Sequence, residues 1–264
     1  MNLAPGDKIE VRGVSHYFAD PKSRTTSAAI LDIDLSVKPS EFVSIVGPSG
    51  CGKTTLLNMI AGVLRPSAGE VSVNGRAVNG LRPDLIGYMF ARDGLLPWRT
   101  VRENVRLGLE FGHHRDADKR SSSLVSMVGL SGFEDHLPHQ LSQGMRQRVA
   151  LARSLARDPE ILLMDEPFGA LDAQTRVLVQ NEFIRIWESD QKTVLLVTHD
   201  LVEALALSDR VIVMTARPGA IKAVHKIDLP RPRIVDELQD SPEFRELHAR
   251  VWHDLKYEAL RGAV

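Results

Sequence analysis

Apolar residues recur along this chain in three patterns, and each predicts a different kind of element. Lys8 to Arg12 and Ala29 to Val37 alternate apolar with polar side chains, the period of strands with one covered face. Asp20 to Ser27 between them is polar and predicts a loop. Phe42 to Val46, Ile161 to Met164, Thr193 to Val197 and Arg210 to Met214 are near-continuous apolar runs, the pattern of strands covered on both faces. Helical spacing is the third pattern. It places Leu56, Leu57, Ile60, Ala61 and Leu64 on one face after Lys53, and Val101, Val105 and Leu109 on another after the capping-box pattern Thr100-Val101-Arg102-Glu103. The same spacing unites Met145, Val149, Ala152 and Ala156 after Ser142, with Arg146, Arg148, Arg153 and Arg157 distributed around the other sides. It appears once more in Phe244, Leu247, Val251 and Leu255, after Ser241 as N-cap and Pro242 as first helical residue. Pro66 to Gly69 reads as a turn, and Glu70 to Gly75 as a short strand ending in an Asn-Gly turn. Between about 91 and 157 the pattern is helical with polar connections. Strands alternating with a helix predict an α/β fold with a mixed sheet.

One junction between elements carries chemistry. Gly47-Pro48-Ser49-Gly50-Cys51-Gly52-Lys53-Thr54 lies between the apolar run Phe42 to Val46 and the helix that begins near Lys53. Glycines at these positions let successive N–H groups converge on one concavity suited to phosphate oxygens, and the positive end of the helix dipole adds to it. Lys53 can reach the β- and γ-phosphates, and the Thr54 hydroxyl can ligate Mg²⁺. A chance glycine-rich turn is the competing reading; with every fixed position filled and both flanking elements in place, nucleoside triphosphate binding is the reading adopted.

Composition narrows the class. Lys plus Arg number 33 against 34 Asp plus Glu, which gives no support for nucleic-acid binding by charge. Cys51 is the single cysteine, so no intrachain disulfide forms and a reducing compartment is expected. Its place inside the loop allows a catalytic thiol in principle, but a tolerated small residue is the favoured reading. The first residues lack the basic and apolar blocks of a signal peptide, and no apolar run approaches the roughly 20 residues of a membrane span. Association with a membrane is therefore expected only through partners. His113 and His114 lie adjacent in a charged stretch without metal-ligand spacing and read as solvated surface. Leu229-Pro230-Arg231-Pro232-Arg233 reads as a stiff extended segment.

Polar groups follow the apolar runs, where open α/β sheets bind ligands. Asp165 ends the run Ile161 to Met164 and can hold the Mg²⁺ that bridges two phosphates. Glu166 beside it can orient or deprotonate a water for attack on phosphorus. His199 follows Thr193 to Thr198 and can donate a hydrogen bond near the γ-phosphate, although a lone histidine at a strand end is more often structural.

Taken together these motifs resemble the ATP-binding subunits of ABC transporters over nearly the whole chain. Leu141-Ser142-Gln143-Gly144-Met145 resembles the family's signature motif, commonly LSGGQ, and Ile161 to Glu166 its Walker B strand with catalytic glutamate. Ala170 to Asp172 is similar to the D-loop, His199 to the switch histidine, and Phe18 (or Tyr17) to the aromatic that stacks on adenine. The resemblance implies a P-loop NTPase (RecA-like) core with an N-terminal antiparallel β-subdomain and an inserted α-helical subdomain. One domain would span 1–264, with 1–90 and 158–228 as nucleotide-binding core, 91–157 as helical signature subdomain and 229–264 as a tail with a helix. Gly47, Pro48, Ser49, Gly50, Cys51, Gly52, Lys53, Thr54 and Thr55 would hold ATP, Thr54 and Asp165 the Mg²⁺, and Glu166 and His199 would act in hydrolysis. Two copies would pack head to tail, Ser142 and Gly144 of one meeting the γ-phosphate held by the other. Leu95 to Trp98, Asp165 to Asp172, and Leu229 to Arg233 followed by Ser241 to Phe244 are similar to the nitrate, sulfonate and taurine import group. That narrower resemblance implies an importer of small anions with two transmembrane permease subunits and a substrate-binding protein. The ATPase would sit peripherally on the cytoplasmic face of the inner membrane.

The sequence departs from the family twice. Gln143 replaces the signature's first glycine and Met145 its glutamine, while Ser142 and Gly144 remain. After the strand Ile86 to Phe90 the family's usual glutamine is Ala91, followed by Arg92 and Asp93. A methyl group neither ligates metal nor orients water. Bound water could fill the gap, Arg92 or Asp93 could substitute, or hydrolysis could be slow; an active ATPase with altered coupling is the favoured reading. The apolar cluster Leu95 to Trp98 is either local core or a groove for a short helix of the membrane subunit. Two further functions compete: an ATP-binding regulatory module with weak hydrolysis, and a soluble ABC ATPase outside transport. The latter usually joins two cassettes or carries long coiled-coil inserts, neither of which is visible in this sequence.

Overall fold

The computed structural model of the chain describes residues 6–19, 25–110 and 116–261. His113, His114 and most of the polar loop expected at 20–27 lie outside the described residues. In chain order the elements are β1 (Ile9–Ala19), β2 (Thr26–Val37), β3 (Phe42–Val46), α1 (Lys53–Ile60), β4 (Ala68–Val73) and β5 (Arg76–Ala77). Next come β6 (Ile86–Met89), α2 (Val101–Glu110), α3 (Ala117–Met127), α4 (Gln143–Leu155), β7 (Ile161–Asp165) and α5 (Ala173–Asp190). The chain closes with β8 (Thr193–Thr198), α6 (Leu201–Leu207), β9 (Arg210–Met214), β10 (Ile221–Lys226), α7 (Val235–Leu238) and α8 (Pro242–Arg261). They fall into two compact units, residues 1–82 with 193–264, and residues 83–192.

The first unit contains two sheets. β2, β1, β4 and β5 form an antiparallel sheet, with Ile9 opposite Val37 on one side and Val73 on the other. β1 runs beyond the alternating stretch, and register shifts after Val11 and Val14 bend it. Asn74 and Gly75, both at positive φ, make the expected tight turn into β5. β3 runs parallel to β8 and β9, its neighbours, and β10 pairs antiparallel with β9. Every residue of β3 and β8 is buried, as continuous apolar runs require. α1 is shorter than its apolar spacing suggested: Gly62, at φ 77°, follows its C-cap Ala61 and leaves Leu64 outside the helix. α8 starts as the sequence indicates, with Ser241 Oγ accepting from Phe244 N at 3.1 Å, and buries Phe244, Val251 and Leu255 with α6 and β9 residues.

In the second unit β6 and β7 pair in parallel, Ile86 opposite Ile161. Helices α2, α3 and α4 lie between those strands in sequence. The capping box forms as predicted: Glu103 N donates to Thr100 Oγ1 at 3.3 Å, and Thr100 N to Glu103 Oε2 at 2.8 Å. Residues Ala117–Met127 form α3, with Ser121 buried.

Candidate nucleotide site

In the first unit, β3 delivers the chain directly into the glycine-rich loop. Gly50 and Gly52 take φ 75° and 102°, a region L side chains rarely adopt. A Cβ on Gly52 would also lie 2.3 Å from Ile30 Cγ2, so the loop rests closely on β2. Gly52 is the N-cap of α1 and brings no side chain to the first amides of the helix. A helix start without a side-chain cap, after a glycine-rich turn, is the kind of backbone that suits an anion, although Cys51 N already donates to Pro48 O at 3.3 Å. Lys53 is buried, its Nζ donating to the carbonyls of Gly47 at 2.8 Å and Pro48 at 3.0 Å. The ammonium is thereby anchored within the loop. Thr54 is exposed at the start of α1 and Thr55 half-buried. Cys51 is buried; that burial pushes its thiol pKa up, against the opposing pull of the Lys53 charge. A protonated, enclosed thiol is no nucleophile, which removes the catalytic reading of Cys51.

His199 follows β8, and its two neighbours are fixed. Asp200 N donates to Thr198 Oγ1 at 3.0 Å, while Asp200 Oδ1 caps α6 by accepting from Val202 N at 2.9 Å and Glu203 N at 3.1 Å. The His199 residue itself is exposed. At the other end of α6 the Leu229–Arg233 segment does more than extend. Arg231 Nη2 donates to Leu207 O at 2.9 Å and to Asp209 Oδ1 at 2.8 Å. Arg233, buried, spreads its guanidinium over the carbonyls of Leu205, Ala206, Ser208, Ile227 and Leu229. Positive charge at the carbonyl end of a helix is favourable, and nothing in the sequence marks these arginines as caps. Tyr17 and Phe18 are equally exposed on β1, and the Phe18 ring meets His16 edge-on at 4.7 Å between centroids.

In the second unit Asp165 ends β7 and is buried, while Glu166 is half-buried and takes φ 46°. A left-handed glutamate is strained backbone, of the order of 1–3 kcal/mol, that the surroundings must hold in place. They do so through a turn: Gly169 N donates to Glu166 O at 3.2 Å, Phe168 is buried, and Gln147 Nε2 of α4 bonds Pro167 O. Burial, and then the Asp165 carboxylate, push the Tyr88 phenol well above its usual range, so Tyr88 on β6 stays protonated.

Ser142 is the N-cap of α4, its Oγ accepting from Met145 N at 3.3 Å. Gly144 is buried, and a Cβ there would lie 2.4 Å from Thr175 Cγ2. Its lack of a side chain thus has a packing reason, the approach of α4 to α5, that sequence reading missed. The arginines of α4 are ties rather than free surface charges. Arg146 Nε bonds Asp93 Oδ2 at 3.1 Å, Arg153 bonds the carbonyls of Asp93 at 2.5 Å and Gly94 at 2.8 Å, and Arg148 pairs with Glu182 at 3.3 Å. Asp93 Oδ1 also accepts from Leu95 N at 3.2 Å. Asp93 therefore has structural employment, while Ala91 and Arg92 are exposed. Buried Asn104 holds the next stretch, accepting from Leu96 N at 2.8 Å and donating to the carbonyls of Arg99 and Thr100. Trp98 is 72% exposed, so it is not core.

The Thr54 hydroxyl in the first unit and the Asp165 carboxylate in the second are each oxygen donors of the kind Mg²⁺ takes. No helix among the described residues is long and apolar enough to cross a membrane.

Comparison with known proteins now places the chain. Residues 30–169 match the ABC transporter family. An ABC transporter ATP-binding protein of Methanocaldococcus jannaschii, MJ0412, is 48% identical over 97% of this chain and 94% of its own length. The taurine import ATP-binding protein TauB of Roseobacter denitrificans is 43% identical over 96% of this chain and 97% of its own. The nitrate import ATP-binding protein NrtC of Synechococcus elongatus is 45% identical over 83% of this chain, which matches 34% of that longer protein. Among solved structures, the dimeric ATP-binding cassette MJ0796, in a post-hydrolysis state with ADP and Pi, superposes at TM-score 0.74 with 34% identity, covering 84% of this chain and 100% of that one. The fold is that of a P-loop NTPase, and the chain belongs to the ABC transporter family as an ATP-binding subunit.

Proposed function

We propose that two copies of this chain close head to tail around ATP and hydrolyse it to drive import of a small anion such as nitrate, a sulfonate or taurine. The observation that carries the hydrolytic part is Glu166. A carboxylate held in strained backbone directly after the buried Asp165 is poised to take a proton from attacking water. In this reading the loop amides from Gly47 to Gly52 with Lys53, Thr54 and Thr55 cradle the phosphates, and Phe18 stacks on adenine. Ser142 and Gly144 of the partner copy meet the γ-phosphate at the start of α4, and His199 donates to it. Thr54 and Asp165 would hold Mg²⁺, which would supply neutralisation of the phosphate charge. The dimeric form of MJ0796 supports the pairing of copies. The nitrate and taurine import relatives support the cargo class; in this reading a pair of permeases docks near exposed Trp98 on the cytoplasmic face of the membrane. A substrate-binding protein would complete the assembly.

Phosphate release and oligomeric state, measured together, test this. Glu166→Gln should lower turnover about 100-fold or more and trap an ATP-dependent dimer, the effect of losing a general base. Exposed Ala91, with Asp93 tied to Arg146, favours one other reading, a module that closes on ATP but scarcely hydrolyses it. Wild-type turnover no faster than that of Glu166→Gln, with the permeases present, would establish that alternative.

A further inference from the structure

The back of the phosphate loop rests on the turn between β9 and β10, residues 215–220. Gly219 N donates to Ala29 O and Gly219 O accepts from Leu31 N, both at 2.9 Å, so the turn is stitched to β2. A Cβ on Gly219 would lie 1.9 Å from Cys51 O, which puts the turn's backbone directly against the loop. The other end of the same turn is held by the last helix. Glu258 of α8 is 5% exposed; its Oε2 accepts from Ala216 N at 3.0 Å and its Oε1 from Lys222 Nζ at 2.9 Å. Lys222 Nζ also donates to Asp254 O at 2.7 Å, fixing the ammonium between strand and helix. Burying a carboxylate is unfavourable unless such directional bonds compensate, and an apolar residue would have filled the space without them. The charge-assisted bond to a backbone N–H fixes the turn in one place.

We propose that Glu258 is a positioning residue for ATP: through Ala216 and Gly219 the last helix sets the shape of the phosphate loop. The proposal rests on the reading of that loop as the ATP site. Without the carboxylate, Ala216 N loses its partner, the turn relaxes, and the Cys51 carbonyl loses its backing. The loop amides are then less well aligned before ATP arrives, which weakens binding and leaves the chemical step in place.

Cys51, the single cysteine and 1% exposed, reports on the loop directly. Its alkylation by N-ethylmaleimide is measured without nucleotide, well below the unfolding temperature, beside KM and kcat for ATP. Glu258→Ala should speed alkylation about tenfold by local opening and raise KM about fivefold, with kcat changed less than about twofold. Glu258→Gln, which keeps an oxygen for Ala216 N, should recover most of the wild-type behaviour. Val251→Ala serves as comparator, because it removes buried packing from the same helix away from the turn. Equal acceleration in Val251→Ala and Glu258→Ala at matched loss of Tm, or no acceleration in Glu258→Ala, overturns the proposal. Should Glu258→Ala not fold, Lys222→Met removes one of the carboxylate's partners and enters the same comparison. Failure of the ATP reading would show separately, as wild-type Cys51 alkylation that ATP does not slow.

Discussion

Helices α1 and α4 both begin where the proposal puts a phosphate, yet their first turns are built differently. α1 starts from Gly52, at φ 102°, which contributes no side chain to the helix amides. α4 starts from Ser142, at φ −64° and ψ 163°, whose hydroxyl already accepts from Met145 N. An uncapped helix start is costly without an anion or water, and a capped one is satisfied alone. The difference matches the proposed duties. In that reading the loop before α1 cradles the phosphates held by its own chain, whereas α4 must remain stable when the two copies part. Glycine also serves the two starts differently: Gly52 for a backbone conformation and a close strand, Gly144 for a neighbouring helix.

Three substitutions press on that contrast. Gly52→Ala should be the most damaging, about 3 kcal/mol or more of stability, because it combines a disfavoured φ with contact on Ile30. Ile30→Ala removes that Cγ2, and the double variant should lose close to the sum of the two single costs in denaturant titrations; a clear shortfall would mean the contact, not the backbone, dominates. Gly144→Ala should cost about 1–3 kcal/mol by overpacking, and Thr175→Ser, which removes the offending methyl, should restore most of it. If it does not, Gly144 is required for something other than packing. Ser142→Ala should be mildest, about 1 kcal/mol in a urea titration, as loss of one N-cap. Equilibrium ATP affinity of the single chain should be unchanged in it; a clear drop would mean that α4 helps its own chain bind nucleotide.

Features encoded by near neighbours were readable from sequence. The buried runs of β3, β7, β8 and β9, the Thr100–Glu103 box and the Phe244, Val251, Leu255 face all follow from spacing, because the forces that set them act within a few residues. Contacts across long separations left no such trace. The tie of Arg146 to Asp93 spans 53 residues, and no periodicity announces which surface charges will meet. The same holds for Thr175 against Gly144 and for Arg233 over α6. The left-handed backbone of Glu166 is set by the buried turn around it, so sequence could nominate its carboxylate but not its strain. α5 was legible and missed: Asp172 accepts from Thr175 N at 3.0 Å as a regular N-cap, and Val179, Phe183 and Trp187 are buried at helical spacing.

Arg233 also bears on where the nucleotide-binding unit can be cut. Its guanidinium satisfies backbone oxygens at the end of α6, whose other end follows His199. A chain trimmed back to the end of β10 would leave those buried oxygens without their donor and expose the apolar surface under Phe244 and Val251. Such a trim would cut into the core packed against α6, and a cassette ended at β10 would fold poorly.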